Sequence, residues 1–217
     1  MASLPSRLSY IDYTRAFAIL LVVAGHWNPA PRPEWWIICF NIIYSFHMPL
    51  FLAISGYLYM HTRKQASYSR FLINKFNRLL IPYFFTSILI ISIKLISQKG
   101  MYVENGVTLY SYIECLYSPV AGYFLWFMWA LWWMFVIIPW FKTKSSRLFL
   151  FTIGLILNFM PWIGTEILCI SQTLNMMVFF VAGTVLYDYN QFLIPIDNKR
   201  GLFYLSILFA AFEVAYI

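Results

Sequence analysis

Charge is what this chain has least of. Only 11% of its 217 residues are Asp, Glu, Lys or Arg, and 8 are acidic. Set beside 62% apolar residues and a mean hydropathy of +0.71, that scarcity excludes an ordinary soluble domain and describes a polytopic membrane protein. Histidine and cysteine are scarce too, with three of each. His61 and the cysteines show no zinc-ligand spacing, so no metal is expected. Cys39 falls in the second apolar run, while Cys115 and Cys169 both fall on or near the outer side of the membrane, where a disulfide is open but is not shown by spacing. No Walker-type glycine loop is present, which argues against an ATP-driven pump. Internal repeats, low-complexity tracts and a domain-sized soluble segment are also lacking. No A-x-A site follows the first apolar run, and Asp12 and Arg15 interrupt its approach. That run is therefore expected to stay as a span rather than leave as a signal peptide.

What is present is a succession of apolar stretches. A span needs about 20 such residues to cross roughly 30 Å of hydrocarbon, and the chain offers seven candidates, at 8–27, 35–60, 79–97, 123–141, 148–163, 170–187 and 202–217. The expected fold is an all-α, polytopic transmembrane helix bundle. Alternate connections place twelve basic residues on one side, from Arg7 and Arg15 to Lys199 and Arg200, and two, Arg32 and Lys99, on the other. The positive-inside bias then puts the N-terminus in the cytoplasm. Lys94 is left near the outer end of the third span, where its stem can snorkel to the interface. The net charge of +7 is mostly this bias; it suits anionic membrane lipid as a partner and does not argue for nucleic acid. The outer connection 98–122 carries Leu109, Ile113, Leu116 and Val120 at helical spacing, as a helix lying flat on the membrane would.

Three groups of residues carry chemistry. Arg15 and His26 are eleven residues apart, which returns them to within roughly 20° on a helix and separates them by roughly 16 Å along its axis. A guanidinium at a cytoplasmic mouth suits phosphate, and an imidazole deeper in the bilayer suits taking a proton from a hydroxyl. Equally, Arg15 can pair with Asp12 one turn away and His26 can bond a neighbouring helix. The second group is Ser45-Phe46-His47-Met48-Pro49-Leu50-Phe51 followed by Ser55-Gly56-Tyr57-Leu58. Proline within a span frees a carbonyl and kinks the helix, and Gly56 lets another backbone approach. His47 fits either a packing role satisfied by a carbonyl or a binding role. The third group, Lys75 and Arg78 in the cytoplasmic connection 61–78, offers two cations three residues apart, either as solvated topology signals or as a phosphate grip. Tyr102, Tyr110, Tyr112, Tyr117 and Tyr123 crowd the outer connection as an aromatic belt or a sugar platform. Trp126, Trp129 and Trp133 share a face that suits packing or lipid, and Glu213 would lie mid-bilayer in the last span.

The order of these motifs, Asp12-x-x-Arg15, His26, Phe-His-Met-Pro-Leu-Phe with Ser-Gly-Tyr-Leu, Lys-x-x-Arg with Pro-Tyr, and Leu125-Trp126-Phe127, resembles the membrane-bound acyltransferase-3 family, the O-acetyltransferases of cell-surface polysaccharides. The resemblance runs from about Leu8 to Gly183. It implies a plasma (cytoplasmic) membrane enzyme that takes an acyl group, expected to be acetyl, from cytosolic acyl-CoA and delivers it to a saccharide acceptor outside. On matching positions Arg15 and His26 correspond to the family's paired arginine and essential histidine, expected to be catalytic, and Ser55-Gly56 to its Ser-Gly motif; His47, Ser55 and Gly56 are expected to bind substrate, and Arg15, Lys75 and Arg78 the phosphates of acyl-CoA. Lys75 stands where arginine is usual, which keeps the charge and loses the bidentate fork. The family resembles a bundle of about ten spans, so residues 1–217 are expected to be a single, partial acyltransferase domain. The contrasting reading is a proton-coupled transporter with His26, His47 and Glu213 as its relay, which a broken second helix would fit equally well. A structural subunit or an inactive fragment is the third.

Overall fold

A computed structural model describes residues 9–27, 33–63, 67–103, 105–160 and 166–189. Its regular structure is all helical, with seven α-helices among the described residues: α1 (Ser9–His26), α2 (Glu34–His61), α3 (Tyr68–Ser97), α4 (Ser111–Glu114), α5 (Trp126–Ile137), α6 (Lys144–Phe159) and α7 (Ile170–Asp188). Six of the seven expected spans coincide with α1, α2, α3, α5, α6 and α7. The seventh, 202–217, and Glu213 with it, lie outside the described residues.

Among the described residues, four helical segments are long and apolar enough to cross a membrane: Glu34–His61, Tyr68–Ser97, Tyr123–Trp140 and Ile167–Asp188. The shortfall against the six described spans has a local cause. Asp12, Arg15 and His26 dilute the 18 residues of α1, and the 16 residues of α6 rise only about 24 Å. α3 differs in the other sense, beginning at Tyr68 and running for 30 residues. Lys75 and Arg78 therefore stand inside a helix and not in the connection before it. The cations between Arg70 and Arg78 hide the helical pattern of Phe71, Leu72, Lys75, Leu79 and Leu80, which are the less exposed positions of that stretch.

The chain divides into two compact units, 1–63 with 179–217, and 64–178. In the first, α1 packs on α2. Trp36 donates its indole N–H to the Trp27 carbonyl at 3.2 Å, and the two rings meet edge to face at 4.8 Å. Gly25 makes room for this packing, since a Cβ there would lie 3.1 Å from Tyr44 Cε2 and 3.3 Å from Ile43 Cγ2. α2 then crosses the later half of α7 with backbones in contact. A Cβ on Gly56 would overlap the Phe180 carbonyl oxygen, and one on Gly183 the Ala53 carbonyl oxygen. The expected close approach at Gly56 is present, with Gly183 as its counterpart. Pro49 does not break α2, which remains one continuous helix of 28 residues.

The second unit is built on α3, α5, α6 and the start of α7. Tyr83, Leu80, Ile91, Cys115, Leu125, Trp129 and Cys169 form its core. Gln98 clamps the connection after α3, donating to the Val107 carbonyl at 3.0 Å while its own oxygen accepts the Val107 N–H at 2.7 Å. The Tyr83 hydroxyl reaches the carbonyls of Cys115 at 2.8 Å and Ser118 at 3.0 Å. Those contacts, with Pro119 close behind, leave the 109–120 stretch only the short helix α4 in place of the expected surface helix. Cys115 and Cys169 are both buried free thiols, and burial pushes the Cys115 thiol up. Thr143 and Ser146 cap α6 reciprocally, a capping box in which each side chain satisfies the other's N–H.

Candidate active site

Both histidines of the first unit adopt one local geometry. His26 Nδ1 lies 2.7 Å from the Val22 carbonyl, and His47 Nδ1 lies 2.6 Å from the Ile43 carbonyl, each four residues earlier on its helix. A carbonyl only accepts, so Nδ1 carries the proton in both rings and the basic lone pair belongs to Nε2. Their surroundings differ sharply. His26 is exposed at the end of α1, whereas His47 is 3% exposed and meets the Tyr44 ring edge to face at 4.9 Å. The two imidazoles are near enough to interact electrostatically. Residues 43 and 44, which receive Gly25, thus also hold His47.

Arg15 is exposed on α1, and the helix that carries it continues unbroken to His26. The axial separation of roughly 16 Å drawn from spacing therefore holds. Ser55 turns its hydroxyl back to the Phe51 carbonyl at 2.8 Å, and Gly56 is committed to the crossing with α7. Ser45 likewise bonds the Ile42 carbonyl at 2.7 Å, one turn before Pro49. At the other end of α2, Tyr187 meets Tyr57 at 5.3 Å and His61 at 6.2 Å.

Lys75 and Arg78 belong to the second unit. Arg78 is exposed on α3. Lys75 is partly buried, its ammonium 3.7 Å from the centre of the Phe135 ring and 5.6 Å from that of Phe71, which is the geometry of a cation held on aromatic faces. Two other basic side chains are also occupied. Lys94 donates to the Asn105 carbonyl at 3.2 Å, and the buried Arg147 donates to the carbonyls of Phe141 at 3.1 Å and Lys142 at 2.8 Å. The tryptophans resolve as packing. Trp129 is buried and Trp133 donates to the Leu168 carbonyl at 3.1 Å.

Among the tyrosines, Tyr112 bonds Ser92 at 2.8 Å and Tyr110 faces Tyr117 at 3.4 Å. That hydrogen bond raises the Tyr117 phenol above its ordinary value. Sequence reasoning passed over Gly183, Gln98 and Gln172. Gly183 was legible as the middle of Ala182-Gly183-Thr184; the two glutamines carry no signal beyond being polar in an apolar chain.

Regular structure that is all helical among the described residues, four of its segments long and apolar enough to cross a membrane, is the pattern of a membrane protein of the helical class. Residues 8–217 match the profile of the acyltransferase domain, and the chain belongs to this acyltransferase-3 family. It is 36% identical over 124 residues to nodulation protein NolL of Sinorhizobium fredii (strain NBRC 101917 / NGR234), covering 55% of this chain and 32% of that protein. Against nodulation protein NolL of Mesorhizobium japonicum (strain LMG 29417 / CECT 9101 / MAFF 303099) it is 30% identical over 132 residues, covering 58% and 34%. The chain thus matches about a third of the length of these curated relatives. No solved structure matches it.

Proposed function

We propose that this chain takes part in transferring an acyl group, acetyl in the first instance, from cytosolic acyl-CoA to a hydroxyl of an extracytoplasmic saccharide, in a plasma membrane with its N-terminus in the cytoplasm. The observation that carries the reading is the His26 ring, whose Nδ1–H is held by Val22 so that Nε2 is the basic nitrogen, on a helix that also presents Arg15. Membership of an acyltransferase family supports the reaction class.

In this reading Arg15 holds donor phosphate through its fork of N–H groups. The pantetheine arm runs along α1, for which the roughly 16 Å rise from Arg15 to His26 is a fitting length. His26 Nε2 removes the proton from the saccharide hydroxyl as its oxygen attacks the thioester carbonyl. The new C–O bond forms, the C–S bond breaks, and the CoA thiolate leaves and is protonated. Arg78 is the exposed cation of α3 that suits donor phosphate. Lys75 suits it less, because its ammonium is already engaged by Phe135. His47, Ser55 and Gly56, expected at the substrate, are here supports for the helix that faces α1.

The test is transfer of labelled acetyl from acetyl-CoA to surface glycan by vesicles carrying this chain, beside His26→Ala and Arg15→Ala. Transfer by the parent and its loss in both variants at equal membrane insertion is the expected result. Retained turnover in His26→Ala would sink the assignment. The alternative, a proton-coupled transporter, rests on a relay of His26, His47 and Glu213, and transfer lost in His26→Ala at equal insertion would count against it.

A further inference from the structure

Gln172 is a buried amide with one half of its hydrogen-bonding capacity unspent. It is 4% exposed, its NH2 donates to the Tyr123 hydroxyl at a long 3.4 Å, and its Oε1 has no partner among the described residues. Leaving a buried carbonyl-type acceptor unmatched forfeits the hydrogen bonds it would make to water, and such orphans are few in native proteins. An acceptor of this kind asks for a donor from outside the fold. A hydroxyl supplies it, whereas an anion, itself an acceptor, does not.

The setting fits a hydroxyl-rich ligand. Tyr123, at 61% exposed, joins the buried amide to the surface and offers a second hydroxyl and an aromatic face. Ser171 and Thr173, its neighbours in the first turn of α7, are buried polar residues too. The backbone just ahead of Gln172 is pinned at Leu168. Leu168 and Cys169, just ahead of α7, take positive φ values of 56° and 55°, a backbone that side chains other than glycine rarely adopt. The turn is pinned by Leu168 N–H to the Tyr117 carbonyl at 2.6 Å and by Trp133 to the Leu168 carbonyl at 3.1 Å. Tyr123 follows the connection 98–122, and two helical passes, α5 and α6, bring the chain back to Gln172 at the same end of this unit.

We propose that the Gln172 carboxamide and the Tyr123 hydroxyl form a binding subsite for a hydroxyl of a neutral saccharide. The end of the unit that carries them is the extracytoplasmic one in the orientation proposed above, so the identity of the ligand as acceptor rests on that reading. A sugar hydroxyl donates to Gln172 Oε1, and Tyr123 bonds a second hydroxyl or stacks on the ring.

The experiment is equilibrium binding of maltotetraose, cellotetraose and mannotetraose to the whole chain in lipid nanodiscs, followed by tryptophan fluorescence with empty nanodiscs as control and no acyl-CoA present. At least one sugar is expected to bind, with affinity falling about tenfold in Gln172→Leu and severalfold in Tyr123→Phe, the loss of one or two neutral hydrogen bonds. Tyr123 is exposed, so its variant folds even where Gln172→Leu does not. Undiminished affinity in Tyr123→Phe and Gln172→Leu means the orphan oxygen serves an internal water, and overturns the subsite. Binding of none of the three sugars also overturns it. With the donor absent, failure of acyl transfer leaves this result unaffected, and loss of sugar binding leaves the His26 chemistry to its own test.

Discussion

The ammonium of Lys75 on α3 lies 3.7 Å from the centre of the Phe135 ring on α5, a pairing that ties two helices of the second unit through a charge. A partly desolvated contact of this type contributes about 0.5–2 kcal/mol. Lys75→Met and Phe135→Leu should each lower thermal stability in detergent, and a double-mutant cycle should show coupling of about 1 kcal/mol. Arg78→Ala, removing an exposed guanidinium from the same helix, should leave the unfolding temperature unchanged and weaken acetyl-CoA binding. If Lys75→Met weakened donor binding as much as Arg78→Ala while stability held, Lys75 would be a phosphate ligand after all.

Gly56 and Gly183 face each other's helix backbone, so an added methyl on either meets a carbonyl and not a yielding side chain. Overpacking of a rigid contact costs about 1–3 kcal/mol and at times more. Gly56→Ala and Gly183→Ala should each reduce the yield of folded protein and the unfolding temperature. Gly100→Ala, with nothing within 4 Å of its new Cβ, should behave as the parent. Equal thermal denaturation curves for all three would show that α2 and α7 do not touch there.

Tyr83 shows the same logic with hydrogen bonds. Its fully buried hydroxyl serves the carbonyls of Cys115 and Ser118, and Tyr83→Phe strands both. A loss of about 1–3 kcal/mol is expected, together with faster proteolysis of the connection 98–122, which the hydroxyl holds to α3. Proteolysis at the parental rate would place the anchor of that connection in the Gln98 clamp alone.

Much of the fold was legible because a bilayer allows few alternatives: an apolar run of sufficient length must satisfy its backbone internally, and a helix does so. The extent of α3 was not, because Arg70, Lys75 and Arg78 read as connection by charge although Phe71, Leu72 and Leu79 keep helical spacing. The surface helix over 109–120 was overstated for the opposite reason. Leu109, Ile113, Leu116 and Val120 have the right period, but Tyr83, distant in sequence, takes the carbonyls of Cys115 and Ser118. At the candidate site, spacing placed Arg15 and His26 on one helix, and Gly56 announced a close approach. It could not tell the exposed His26 from the buried His47, since that difference comes from how α1 meets α2. Gln172 was invisible because an orphan acceptor exists only in three dimensions.

His26 and His47 share a bond pattern and differ in burial, which separates chemistry from architecture. His47→Ala removes a buried ring packed on Tyr44 and opens a cavity in the α1/α2 pair, with a cost of about 2–4 kcal/mol by analogy with large-to-small core changes. Its transfer activity should fall in step with the amount of folded protein and recover on cooling. His26→Ala removes an exposed ring and should leave stability within about 0.5 kcal/mol of the parent's while transfer falls by about 10²-fold or more, the range of a lost general base. Measuring unfolding temperature and specific activity on the same preparations sorts the two residues. If His47→Ala lost activity at full stability while His26→Ala kept it, the base would be the buried histidine, and the donor path along α1 would have to end one helix further in.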